Sequence, residues 1–239
     1  MKKVFFSDLD GTLLTTEKNI SPKTREALDV WLSKGNYLVI SSGRPLPSVK
    51  EVMEKNGLIG PNIYGIAFNG GQIYNSVTKE IVMSKTLTMD EVQTVALMAK
   101  ERNIYCHTYD STYIITPKIG KETDFYTRTI HLPLKELPDF PIGITERPCK
   151  FLCVDPDLEH DLDAFGNDIM KKLPNITCVK SNQFLLEVFP SSSGKGAAIH
   201  EFCELMNIDI KNTFAAGDEL NDMSMLQEAG CGIAMINAN

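Results

Sequence analysis

The sequence predicts an α/β protein: a mostly parallel sheet assembled from both ends of the chain, interrupted by an inserted α+β domain. Three observations carry this reading. Short apolar runs alternate with helical periodicity from the N-terminus to about residue 75, the pattern of strands buried on both faces and joined by crossover helices. Between about 83 and 186 that rhythm gives way to paired strands with separate helices. It then resumes to the C-terminus. The expected organisation is a discontinuous core of residues 1–82 and 187–239 around an insert of 83–186.

The elements follow in order. KKVFFS (2–7) is short, aromatic and β-branched, and reads as a buried strand. Ser21-Pro22 opens a helix, because serine caps well and proline fits the first turn; Ala27, Leu28, Trp31 and Leu32 follow at helical spacing and Gly35 suits its end. NYLVIS (36–41) is a second strand ending in SSGRP, a helix is expected over Pro47–Lys55, and YGIAF (64–68) is a third strand ending in NGG. QIYN and KEIVMS form a hairpin, and a helix is expected over about 88–102.

In the insert, IYCHTY and TYIITP make a second hairpin turning at Asp110-Ser111. Residues 117–147 contain Pro117, Pro133, Pro138 and Pro141 and show weak periodicity. CKFLCVD (149–155) and NQFLLEVF (182–189) are strands, with a helix expected over about 157–172. SSGKGAAIHEFCELM then reads as a helix, NTFAAGD as a strand, ELNDMSMLQEA as a helix and CGIAM as the last strand.

Bulk properties narrow the function. Thirty-one acidic against 24 basic residues give a net charge of −7, which argues against nucleic acid as a partner. No apolar run approaches the roughly 20 residues that span a bilayer, so no membrane partner is expected. The N-terminus meets Asp8 before a signal-peptide core can form, and the chain is read as cytoplasmic, a monomer or small homo-oligomer. Six cysteines form no CxxC pair and show no metal spacing with the four scattered histidines; they are read as buried free thiols.

The chemistry gathers at the strand ends, where open parallel sheets bind ligands. Those ends carry Asp8-Leu9-Asp10, Ser41-Ser42-Gly43-Arg44, Asn69-Gly70-Gly71 and Gly217-Asp218. Lys195 opens a core helix and can point the same way; Asp222 lies one turn past Asp218. Several carboxylates meeting at one edge repel unless something positive neutralises them. A set of oxygen donors without histidine or cysteine suits a hard cation, Mg2+ above all. The cation and Lys195 make an anion site, and the Ser42 hydroxyl and Gly43 amide can donate to phosphate oxygens. Asn69-Gly70-Gly71 reads equally as a plain turn or a substrate contact, and Arg44 as a phosphate contact or a surface ion pair.

DLDGTLL, SSGRP, GKG and GDELND, in that order, resemble the four motifs of the haloacid dehalogenase (HAD) superfamily. The insert resembles the larger α+β cap, C2B, of its Cof-type subclass IIB. The resemblance implies a Rossmann-like parallel-sheet core and a Mg2+-dependent phosphatase that acts on a small phosphorylated metabolite, a sugar phosphate or a phosphorylated cofactor. It makes Asp8 the nucleophile that forms an aspartyl-phosphate and Asp10 the general acid, then base, with its carboxyl free to titrate. Mg2+ is then held by the Asp8 carboxylate, the Asp10 carbonyl and Asp218, with Asp222 orienting a bound water. Ser42, Gly43, Arg44 and the Leu9 amide are assigned to the phosphoryl group, with Lys195 on it and on Asp8, and Asn221 nearby.

Two departures accompany the likeness. Ser42 stands where Cof-type members often have threonine, which keeps the hydroxyl. The sequence GIAMINAN has Ile236 where the family usually has glycine, and it stops at Asn239, before the helix and strand that usually follow; if that covering helix is missing, one sheet face is expected to be exposed. In the insert, Tyr109, Tyr113, Phe125, Tyr126 and Arg128 read as core packing or as a substrate pocket. The rival functions are a phosphotransferase or mutase with the same covalent intermediate, and a receiver-like phosphorylatable module.

Overall fold

The computed structural model describes residues 2–239 and divides into two compact units, Met1–Ser84 with Ser193–Asn239, and Lys85–Ser192. The first half of the first unit runs β1 (Val4–Ser7), α1 (Pro22–Ser33), β2 (Tyr37–Ser41), α2 (Leu46–Lys55), β3 (Ile63–Ala67), β4 (Gln72–Asn75) and β5 (Ile81–Ser84). Ser21 caps α1 by accepting the Thr24 amide at 3.1 Å, with Pro22 in the first turn. β2 pairs in parallel with β1 and β3, while β4 and β5 extend the sheet antiparallel.

In the second unit, α3 (Met89–Glu101) starts at a reciprocal capping box between Thr88 and Glu91. β6 (Cys106–Tyr109) turns back into β7 (Ile114–Thr116) through Asp110, whose Oδ1 accepts the Thr112 and Tyr113 amides at 2.8 and 2.6 Å. Then come α4 (Lys121–Thr127), β8 (Leu134–Glu136), β9 (Phe151–Val154), α5 (Leu162–Lys172), β10 (Ile176–Asn182) and β11 (Leu185–Pro190). The sheet order is β10-β11-β9-β6-β7-β8. Val92, Val95, Phe165 and Ile169 from the two long helices pack with Cys106, Phe151 and Val188 of the strands in one apolar cluster.

The first unit resumes with α6 (Lys195–Met206), β12 (Thr213–Gly217), α7 (Met223–Glu228) and β13 (Cys231–Ala234). Its sheet order is β13-β12-β1-β2-β3-β4-β5. Strand alternation sends Phe5 and Phe6 to opposite faces. Phe6 meets Phe202 of α6 edge to face at 5.7 Å, and Phe5 meets Trp31 of α1 at 6.2 Å. Truncating a ring such as Phe202, which is fully buried, costs roughly 3–5 kcal/mol. The two faces are thereby covered, and the strand ends are left to carry the site.

The elements differ from the sequence expectations in the second unit. α4 and β8 lie in the proline-containing stretch, where proline spacing hides their short patterns. β10 was not expected, because ITCVKSN turns polar after its first residues and its outer half is exposed. Asn182 ends β10 rather than opening the next strand, since the two strands are arms of one hairpin. β11 pairs with both β10 and β9 through Glu187 and Val188, so this unit extends to Ser192 instead of 186. The helix expected from 157 starts at Leu162, where Asp161 accepts the Ala164 amide at 2.9 Å. In the first unit, the helix expected over 219–229 is a one-turn 3-10 helix at Leu220–Asp222 followed by α7. β13 is exposed along its length and Ile236 is fully exposed.

Candidate active site

Asp8 follows β1, and its amide continues the ladder to the Ala216 carbonyl at 3.0 Å. Asp218 follows β12 directly. Adjacent parallel strands thus deliver both carboxylates to the same sheet edge. Asp222, on the one-turn helix behind Asp218, turns its Oδ2 back to accept the Asp218 and Glu219 amides at 3.0 and 3.1 Å. Carboxylate oxygens of Asp8, Asp218 and Asp222 all lie within 4.8 Å of one another.

Lys195, the first residue of α6, binds two of them. Its Nζ lies 2.6 Å from Asp8 Oδ1 and 2.5 Å from Asp222 Oδ1. The lysine and Asp222 are each only 1% exposed, so this is a buried ion cluster. Gly70 makes the approach possible: at φ 94° it takes the left-handed region, and a Cβ there would sit 2.3 Å from the Gly194 carbonyl. The turn after β3 therefore rests on the residue just ahead of Lys195.

Burial pushes the Asp8 carboxyl up to about 6, with Asp222 adding to the rise and Lys195 opposing it. Burial disfavours the charged form of Lys195, but Asp8 and Asp222 outweigh it and hold the ammonium above its ordinary value. One lysine does not balance three carboxylates. The unbalanced charge, the oxygen-only donors and their convergence fit a hard divalent cation. Gly11 shapes the same spot: at φ 85°, a Cβ on it would lie 2.2 Å from Asp218 Oδ2.

Asp10 behaves differently from the expectation of a free carboxyl. Its side chain stands outside the carboxylate cluster, and both of its oxygens are engaged. Arg44 Nε and Nη2 donate to Oδ2 and Oδ1 at 2.8 and 3.0 Å, and Lys18 Nζ reaches Oδ1 at 2.7 Å. Burial raises the Asp10 pKa, but the Arg44 and Lys18 contacts win and hold it below the usual carboxylate range. Arg44 accordingly spends its guanidinium on Asp10, with a further contact to Ser48 Oγ at 3.3 Å.

The remaining expected residues surround this edge. Ser42 is buried, and its Oγ accepts the Arg44 amide at 3.2 Å. A Cβ on Gly43 would come within 2.9 Å of Asn69 Oδ1, so the second motif and the NGG turn are in close contact. The Leu9 amide bonds to the Asp8 carboxyl, while its side chain is fully buried. Asn221 is half-buried on the one-turn helix beside Asp222.

Three neighbours escaped the sequence reading. Thr12 Oγ donates to Asp218 Oδ1 at 2.6 Å; its place in the DGT triplet was the available signal. Asn237 Nδ2 reaches the Gly11 carbonyl at 3.0 Å and Asp218 Oδ2 at 3.4 Å. Lys18 sits at φ 59° in a loop closed by Thr15 and Asn19, and no periodic pattern announces it. In the second unit, Tyr109 and Tyr126 are buried and share a 2.7 Å hydrogen bond, whereas Tyr113 and Arg128 are exposed.

Comparison with known proteins gives the family. The 5-amino-6-(5-phospho-D-ribitylamino)uracil phosphatase YcsE of Bacillus subtilis is 30% identical over 239 residues, covering 99% of this chain and 84% of that protein. The pyridoxal phosphate phosphatase YbhA of Escherichia coli is 27% identical, covering 99% and 89%. A crystal structure of a haloacid dehalogenase-like hydrolase from Bacteroides thetaiotaomicron superposes with a TM-score of 0.87 at 27% identity, over 100% of this chain and 90% of that one. The family model for haloacid dehalogenase-like hydrolases matches residues 5–239, and the chain belongs to that family.

Proposed function

We propose that this hydrolase is a Mg2+-dependent phosphatase that cleaves a small phosphate monoester through an aspartyl-phosphate on Asp8. The observation that carries the reading is the meeting of Asp8, Asp218 and Asp222, with buried Lys195 bridging Asp8 and Asp222. An Asp8 oxygen attacks phosphorus while the bond to the leaving oxygen breaks, and Asp10, protonated against the Arg44 and Lys18 contacts that favour its anion, delivers that proton to the leaving oxygen. Water then attacks the aspartyl-phosphate, Asp10 takes its proton, and Asp8 is regenerated as inorganic phosphate departs.

Lys195 keeps Asp8 oriented and anionic at neutral pH and offers its charge to the phosphoryl oxygens. Ser42 and the amides of Leu9 and Gly43 donate to the same group. Asp8, Asp218 and the Asp10 carbonyl would hold Mg2+, with Asp222 steadying the site through the loop amides. When bound, the ion neutralises charge on the transferring phosphoryl group, the main electrostatic demand of this chemistry.

The phosphatases YcsE and YbhA, by name, act on a phosphorylated ribityl compound and on a phosphorylated cofactor. These support a small metabolite phosphate as substrate: a sugar phosphate or a phosphorylated cofactor. Six free cysteines support a reducing, cytoplasmic setting.

The test is phosphate release from a panel of phosphorylated sugars, nucleotides and cofactors, with and without Mg2+, beside Asp8→Asn. Mg2+-dependent release that disappears in the folded variant is the expected result. Phosphate appearing on an added alcohol instead of in solution would convert the reading to a phosphotransferase. Release that survives in Asp8→Asn would remove the covalent mechanism.

A further inference from the structure

The second unit holds a cavity of about 400 Å3, within the size range of small-ligand sites. Its lining includes Ile104, Tyr105, Phe140 and Val154 with three prolines, so much of the wall is apolar. Charged residues of both signs also line it, and burial sorts them. The carboxylates of Glu122 and Asp155 are buried, at 7% and 5% exposed, whereas Lys100 and Lys118 are exposed.

The two buried carboxylates are not equally served. Asp155 Oδ2 receives the His160 amide at 2.7 Å and the ring Nδ1 at 3.3 Å. Glu122 forms an ion pair with Lys118, whose Nζ lies 3.6 Å from Oε1. Its Oε2 is buried with no hydrogen-bond partner among the described residues. An unmet acceptor of this kind is destabilising, and more so when the group is charged.

Two further polar groups of the lining have partners of their own. Lys121 pairs with Asp157. The Tyr105 hydroxyl bonds to Thr116 Oγ1 at 2.7 Å. The cavity is therefore left with one buried acceptor lacking a donor, apolar walls, and exposed lysines. Lys100 has no ion-pair partner among the described residues.

We propose that this cavity binds a small apolar amino acid or similar amino-carboxylate. Its ammonium donates to Glu122, its apolar body rests on Tyr105 and Phe140, and its carboxylate faces Lys100 and Lys118. The site is separate from the carboxylate cluster, and the proposal stands independently of the phosphatase reading.

Calorimetric titration of the full chain tests it, using L-phenylalanine and L-leucine, with 2-phenylethylamine and 3-phenylpropionate as single-charge controls. An amino acid should bind, the amine alone should bind more weakly, and the carboxylate alone should not bind. Glu122→Gln should weaken amino-acid binding at least ten-fold with an unchanged thermal transition. If that variant misfolds, Lys100→Ala at the exposed rim replaces it: amino-acid affinity should fall while amine affinity stays the same. The proposal is overturned if no probe binds, if 3-phenylpropionate binds as well as the amino acids, or if the folded variants bind like wild type.

Discussion

Arg44 grips both oxygens of Asp10, with Nε 2.8 Å from Oδ2 and Nη2 3.0 Å from Oδ1. A two-pronged guanidinium contact fixes direction as well as distance. The carboxylate two residues after Asp8 is thus oriented by the second motif, and Lys18 reinforces it from the following loop.

If that grip aligns Asp10 for proton delivery, Arg44→Ala should hurt substrates in proportion to their need for a proton. An alkyl phosphate has a basic leaving oxygen, whereas p-nitrophenolate departs unprotonated. We expect kcat/KM for the alkyl ester to fall at least ten-fold further than for p-nitrophenyl phosphate, within the roughly 10²–10⁴ range of general acid catalysis. Equal losses on both esters would reassign Arg44 to phosphate binding.

Lys195 bridges two buried carboxylates. Lys195→Met fills similar space but leaves Asp8 and Asp222 uncompensated, which for a broken buried pair costs about 3–5 kcal/mol. Urea unfolding in chelator should show a loss of that order. Added Mg2+ should recover part of it.

Divalent binding should depend on pH through Asp8. A carboxyl raised to about 6 takes up its proton as pH falls through that value, and the cation needs the anionic form. Mg2+ should therefore raise the melting temperature at pH 7.5 and have little effect at pH 5. Asp218→Asn should abolish the stabilisation at both. A pH-independent Mg2+ shift would sever this link.

His107 makes the second unit acid-sensitive. Its ring is fully buried, hydrogen-bonded at 3.1 Å to the Tyr109 hydroxyl, and Nδ1 has no partner among the described residues. Burial, with Lys150 contributing, lowers its pKa to about 3. The unfolded chain protonates near pH 6.5 while the folded one stays neutral, so stability declines as pH falls from about 6.5 toward 3. The loss reaches about 5 kcal/mol at 1.4 kcal/mol per pH unit. His107→Gln should flatten this part of the pH–stability curve, measured by chemical unfolding across the range.

The site's parts were legible in the sequence where chemistry is tied to local pattern. Asp8, Asp218, Asp222 and Lys195 each follow a strand or open a helix that periodicity identifies, and they converge as their positions implied. Thr12 was visible as a triplet but not as a ligand of Asp218. Lys18 and Asn237 come from irregular segments, which carry no period and reveal no direction. Short elements in the second unit, α4, β8 and β10, were hidden because three to seven residues of mixed polarity do not sustain a pattern.

By itself, the sequence determined that alternating apolar strands and helices build a parallel sheet, and that carboxylates and a lysine stand at its edge. Those facts depend on covalent order and local burial alone. Only the tertiary structure decided which of them touch. Asp8 and Asp10 are neighbours in the chain, yet Asp8 turns to Lys195 while Asp10 turns to Arg44 and Lys18. The reason is physical: beyond the end of a strand, a charged side chain goes to whichever counter-charge the fold brings within reach. That partner can come from 187 residues away, as Lys195 does for Asp8.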